Sequence, residues 1–102
     1  MSDKDSIYNR IGVSKDQLQK LAIKYNLDRI AVFGSFARGE EKPDSDVDFL
    51  INWGNDPRDL NRVFGFQEDA ENLIGRKIDM VSEDFIYHHL REIILSEAKD
   101  LV

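Results

Sequence analysis

The chain has 102 residues, 20 acidic side chains against 14 basic ones, and a formal charge of −6. That length allows one domain with a single core, and 41% hydrophobic with 33% charged residues excludes a disordered or fibrous chain. The acidic balance argues against binding nucleic acid by general charge attraction, which takes clustered Lys and Arg; it leaves open carboxylates that hold metal ions, and an acidic face that meets a basic partner.

Cysteine is absent, which removes disulfides, zinc thiolate sites and cysteine nucleophiles. No apolar run approaches the roughly 18–20 residues of a membrane helix, and the opening MSDKDSIYNR is too polar for a signal peptide. The expectation is a cytoplasmic protein with no membrane partner, a single domain over residues 1–102.

Residues 1–12 are polar and expected to fray, although Ile7, Tyr8 and Ile11 could pack back onto the body. Ser14 with Gln17 three residues on is a capping box. Leu18, Leu21, Ala22 and Tyr25 then mark one face of an amphipathic helix, and Asn26 is a fitting stop. Arg29–Phe33 is a short apolar run closed by Gly34, a buried strand. Ser35–Arg38 predicts one helical turn, cut short at Gly39, and residues 40–45 carry turn chemistry around Pro43 and Asp44. A second strand is predicted over Asp46–Trp53, with Val47, Phe49 and Ile51 on one face and Asp46, Asp48 and Leu50 on the other.

Asp59–Ile74 predicts a second long helix, its buried stripe being Leu60, Val63, Phe64, Leu73 and Ile74. Gly65 weakens it by about 1 kcal/mol relative to Ala, and Gly75 sits at a C-terminal cap. A third strand follows over Arg76–Val81, then a last helix capped by Ser82 or Asp84 and carrying Phe85, Ile86, Leu90, Ile93 and Ile94. The fold class is α/β, a small β-sheet flanked by helices; the hairpin-like link between the first two strands makes that sheet mixed.

Two segments carry chemistry. Gly34-Ser35 follows a strand directly, and Asp46-Val47-Asp48 opens the next. Strand alternation puts Asp46 and Asp48 on one face, about 6.5–7 Å apart at the backbone. Side-by-side carboxylates repel unless a cation lies between them, and hard divalent ions such as Mg²⁺ take such oxygens and fill their shells with substrate phosphates. Asp79 offers a third carboxylate, between Ile78 and Met80. If its strand lies beside the second, all three converge as a two-metal transfer site requires. Gly34 lets the backbone approach a phosphate, Ser35 adds a hydroxyl, and the fork of Arg38 can neutralise a phosphate oxygen.

Each piece alone is weak: an isolated Gly-Ser is ordinarily a turn, and an isolated Asp-x-Asp a solvated loop or a cap. Their conjunction is not weak, because three acids buried among apolar neighbours without a partner would cost several kcal/mol each. Other residues keep ordinary readings. His88 and His89 point about 100° apart on a helix and cannot act as a pair. Trp53 belongs to the core edge, Arg58 and Arg62 to a solvated helix face paired with Asp56 or Asp59, Glu40-Glu41-Lys42 to a solvated turn, and Asp44 to capping or orienting its loop.

Val32-Phe33-Gly34-Ser35-Phe36-Ala37-Arg38-Gly39-Glu40, followed by Ser45-Asp46-Val47-Asp48-Phe49-Leu50 and by Lys77-Ile78-Asp79-Met80-Val81, resembles the signature of the polymerase-beta-like nucleotidyltransferase superfamily. More narrowly the chain resembles minimal nucleotidyltransferases, the antitoxin halves of HEPN/MNT toxin–antitoxin pairs, and the closing Leu90–Ala98 is similar to the end of those small proteins. The resemblance implies the polymerase-beta-like fold, ATP or another nucleoside triphosphate as substrate, and two Mg²⁺ ions. Asp46 and Asp48 would hold both ions and Asp79 the catalytic one, where it would also help activate the acceptor. Gly34, Ser35 and Arg38 would grip the triphosphate. The implied acceptor is a tyrosine on a cognate HEPN ribonuclease toxin, silenced by the AMP it receives. Larger relatives carry an additional domain to hold their acceptor, and 102 residues leave no room for one. The alternatives are an antitoxin that blocks by contact alone, and a nucleotidyltransferase for a small hydroxyl compound.

Overall fold

The architecture follows from which strand faces are apolar. In the computed structural model, which describes residues 3–54, 60–86 and 88–102, four strands form one sheet in the order β3-β2-β1-β4. These are β1 (Arg29–Phe33), β2 (Val47–Asn52), β3 (Ile78–Ser82) and β4 (Lys99–Asp100). The helices are α1 (Asp3–Ile11), α2 (Lys15–Lys24), α3 (Ser35–Arg38), α4 (Leu60–Ile74) and α5 (His88–Glu97). β1 pairs antiparallel with both β2 and β4, and β2 pairs parallel with β3. The sheet is therefore mixed, and β1 and α3 have the bounds the sequence predicts.

One face of the sheet presents Ile30, Val32, Val47, Phe49, Ile51 and Ile78, all fully buried. They share a core with Ile7 and Ile11 of α1, Leu18 and Ala22 of α2, Phe66 and Ala70 of α4, and Phe36 of α3. Since β side chains alternate, burying Val47, Phe49 and Ile51 there turns Asp48 to the opposite face. Leu50, also fully buried, shares that second face, against which α5 runs beside β1.

Several elements depart from the sequence reading. Residues 3–11 do not fray: they form α1, and Ile7 and Ile11 are buried. Arg10 holds this helix down by donating to the Phe36 carbonyl at 3.0 Å and to the Glu41 carboxylate. Glu41 is thus an anchor and not part of a solvated turn. α2 starts at the expected capping box, with Ser14 and Gln17 each accepting from the other's backbone amide.

α4 is continuous through Gly65, and Val63, Leu73 and Ile74 of its expected stripe pack partly buried against the core, but its most buried residues are others. Phe66 and Ala70 are buried while Leu60 and Phe64 stand 70% and 59% exposed. Packing explains it. A Cβ on Gly65 would lie 3.1 Å from the Tyr25 ring, so the glycine is where α4 closes on Tyr25, just beyond the end of α2. Tyr25 and Lys24 both bond Asp69 across that seam. Arg62 donates to the carbonyls of Tyr25, Asn26 and Trp53, so it is a structural clip and not part of a solvated face. Trp53 is buried, with its indole on the Ser82 hydroxyl. Asp56, Arg58 and Asp59 lie outside the described residues.

The last helix is two elements, a single 3₁₀ turn at Glu83–Phe85 and then α5. Phe85, Leu90 and Ile93 are exposed instead of forming its buried stripe. The short β4 was not anticipated; it brings Leu101 into the core and sets the end of α5 beside β1.

The packing of α1 makes Ile7→Ala destabilising by about 2–5 kcal/mol, the range for emptying a core position, as read by denaturant unfolding. Ile23→Ala, at a position 80% exposed, should change stability by less than about 0.5 kcal/mol.

Candidate active site

The site lies where β1 ends and β2 and β3 begin. Phe33, the last residue of β1, pairs with Asp48, and Asp48 pairs in turn with Asp79. Register therefore sets Asp48 and Asp79 side by side on the same sheet face, with Asp46 two residues before Asp48. Asp48 is half-buried, as is Asp46, whereas Asp79 is exposed. The burial expected of all three acids is thus partial at Asp46 and Asp48 and absent at Asp79.

Gly34 carries the chain away from β1 with φ +74°, a conformation that disfavours any residue with a Cβ. It has a second reason to be glycine. A Cβ there would come within 2.2 Å of Asp48 Oδ2, so backbone and carboxylate are in direct contact. Hairpin geometry thereby joins the two segments that the sequence shows ten residues apart.

Ser35 begins α3, half-buried, and Arg38 ends it. The guanidinium of Arg38 donates from Nε to Glu40 at 3.1 Å and from Nη1 to both carboxylate oxygens of Glu97 at 3.1 Å. Glu97 Oε1 also accepts the Gly34 amide hydrogen at 2.7 Å. This contact was missed in the sequence because one partner is a backbone group, which no side-chain motif records.

The surrounding loops are fixed from outside the site. Arg76 donates to the carbonyls of Pro43 and Ser45, its guanidinium 5.2 Å from the Phe36 ring centre. Arg76 and Ser45, which accepts from the Lys42 amide at 2.7 Å, orient the turn, while Asp44 is exposed. At the sheet edge, α4 secures the residue before Asp79: Glu71 accepts from the Ile78 amide at 2.9 Å and Gln67 donates to its carbonyl at 3.1 Å. Those two polar residues position β3, and their i, i+4 spacing on a helix face was the available signal.

Electrostatics identify the strained group. The Asp48 carboxyl is raised above its ordinary pKa, first by burial, then by the charges of Asp79 and Asp46, with Glu97 adding to the effect and Arg38 opposing it. Oxygen donors facing one another with uncompensated repulsion fit a hard divalent cation. Among the described residues no three acidic or histidine side chains are gathered to ligate one ion: register brings Asp48 and Asp79 together, but the convergence of all three acids expected from the sequence is not met.

A family model described as a nucleotidyltransferase domain matches residues 14–101. The chain belongs to the nucleotidyltransferase family. A candidate protein adenylyltransferase of Methanocaldococcus jannaschii is 30% identical over 88 residues, 86% of this chain and 94% of its own. The protein adenylyltransferase MntA of Thermococcus cleftensis is 33% identical over 80 residues, 78% of this chain and 80% of its own. Among solved structures, a candidate minimal nucleotidyltransferase superposes with a TM-score of 0.76 at 33% identity, covering 96% of this chain and 95% of that one. A toxin–antitoxin crystal structure with AMP-PNP gives 0.73 at 20% identity, over 88% and 73% of the two chains, and shares the fold. The mixed sheet with flanking helices is thus the polymerase-beta-like nucleotidyltransferase fold, and the chain is a nucleotidyl-transferring enzyme of the adenylyltransferase kind.

The burial of Asp48 and the repulsion it meets have a sign that can be measured. A carboxyl raised by folding contributes stability below its unfolded pKa, near 3.8, and that contribution is lost as pH rises through the native value. Asp48→Asn should therefore raise the melting temperature of the metal-free protein by a few degrees at pH 7. The gain should shrink towards zero as the pH approaches 3.8, as followed by thermal melts across pH.

Proposed function

We propose that this nucleotidyltransferase is an antitoxin that transfers AMP from ATP to a tyrosine hydroxyl of a cognate HEPN-family ribonuclease toxin, neutralising it in the cytoplasm. Residues 1–102 act as one domain. The observation that carries the reading is the contact of Asp48 with Gly34: the carboxylates and the glycine turn meet at one point, where a triphosphate and its cations would have to meet. Relatives named protein adenylyltransferase at 30% and 33% identity support protein as the acceptor.

In this reading Asp46 and Asp48 would hold two Mg²⁺ ions, and Asp79 the one nearer the acceptor. Bound there, the ions would polarise the α-phosphoryl group and neutralise charge developing on the leaving pyrophosphate. Arg38 and the Gly34-Ser35 turn hold the β- and γ-phosphates, and so orient the α-phosphorus for in-line attack. The acceptor oxygen forms the new bond to that phosphorus as its bond to the α,β-bridging oxygen breaks, and Asp79 would receive the hydroxyl proton. In this reading the tyrosine comes from a separate protein, the toxin.

The test is transfer of label from α-labelled ATP, with Mg²⁺, to the protein encoded beside this one. Wild type should label it on tyrosine. Asp46→Asn combined with Asp48→Asn should lower transfer by more than about 100-fold, beyond the usual cost of losing a supporting residue at a metal site. Full labelling by the double variant would remove the carboxylates from the mechanism. Full neutralisation of the toxin by the same unlabelling variant would favour blocking by contact.

A further inference from the structure

Of the residues proposed to grip the triphosphate, Gly34 through its amide and Arg38 through its guanidinium already hold an anion. Glu97 is the last residue of α5, and its backbone position is set by β4, which begins two residues later and pairs with β1. Its Oε1 accepts from the Gly34 amide at 2.7 Å and, with Oε2, from Arg38 Nη1 at 3.1 Å. An amide has one hydrogen, so while Glu97 holds it no phosphate can. Arg38 is committed in the same way. Each edge that a guanidinium can offer to two oxygens at once includes either Nε or Nη1, and here Nε serves Glu40 while Nη1 serves Glu97.

We infer that Glu97 is a built-in competitor for the phosphate cradle, a carboxylate that the triphosphate must displace from Gly34 and Arg38, and that it thereby sets nucleotide affinity. The inference rests on the nucleotide site proposed above. Glu97 is suited to leave: its side chain is 24% exposed and that of Arg38 46%, so rotation into solvent requires no repacking of the core. It also has reason to leave once a nucleotide arrives, since it adds negative charge beside Asp48 and would face the phosphates at close range. By linkage, a nucleotide that releases Glu97 also releases the tie between the end of α5 and the glycine turn.

Calorimetric titration of the full chain with AMP-PNP and Mg²⁺ tests this. Glu97→Gln keeps an acceptor for Gly34 but removes the charge, and should bind about tenfold tighter, near the worth of one charge-assisted hydrogen bond. Glu40→Gln also takes a carboxylate from Arg38 but leaves Gly34 occupied, and should gain no more than about threefold. Were Glu97 a strut that shapes the cradle, Glu97→Gln would bind equally or more weakly, and the inference would be wrong. A second readout needs no variant: the Gly34 amide resonance of the wild type should move when AMP-PNP binds. An unmoved resonance in the saturated protein overturns displacement. Wild type that takes no nucleotide at all overturns the site reading and this inference together, whereas binding without a gain in Glu97→Gln overturns only the inference.

Discussion

The contact between Asp48 Oδ2 and Gly34, where a Cβ would come within 2.2 Å, is the constraint around which the functional end of the molecule is arranged. It requires a residue without a Cβ at φ +74°, a strand register that brings Asp48 opposite Phe33, and a core that turns Asp48 away from it. The last requirement reaches furthest. Val47, Phe49 and Ile51 are fully buried beneath α1, α2 and α4, and a slip of one residue would send Asp48 into that core and Phe49 onto the face that carries the site. The position of the carboxylate is therefore secured by hydrophobic burial on the opposite face of the sheet.

Much of this was legible in the sequence, because each clear signal was local. The run Ile30-Ala31-Val32-Phe33 before Gly34 predicts β1 at its observed bounds, and Ser14 with Gln17 predicts the start of α2. What escaped depends on distant partners. α1 carries only Ile7 and Ile11 as buried apolar side chains, and it is held by Arg10 reaching Phe36 and Glu41, about thirty residues away. β4 is two polar residues, Lys99 and Asp100, with no periodicity to read; β1 supplies its pairing. In α4, Leu60 and Phe64 outweigh Ala70 in any hydrophobic count. Yet the small residues win, because Gly65 and Ala70 let the helix approach Tyr25 and the sheet.

The site divides along the same line. Gly34, Ser35, Arg38, Asp46, Asp48 and Asp79 announce themselves by residue type and spacing, and register brings Asp48 and Asp79 together. Gln67 and Glu71 do not, since their partners are a backbone carbonyl and amide, nor does Glu97, whose partners Gly34 and Arg38 lie about sixty residues away. Arg10, Arg29, Arg62 and Arg76 are spent on carbonyls and on carboxylates elsewhere in the fold. Within the site the Arg38 guanidinium opposes the acids around Asp48, and it is itself shared between Glu40 and Glu97.

That distribution makes the site demanding about what may enter it. An anion alone would be drawn to Arg38 but would meet Asp48, Asp79 and Asp46 beyond it. A cation alone would relieve those acids yet leave Glu97 closed over Gly34. Only a ligand carrying both charges, positive towards the strand ends and negative towards the glycine turn, answers both conditions at once. On the proposed reading, the burial and repulsion that raise the Asp48 pKa and the bonds that hold Glu97 are two halves of one selectivity, which a metal-bound triphosphate would resolve together.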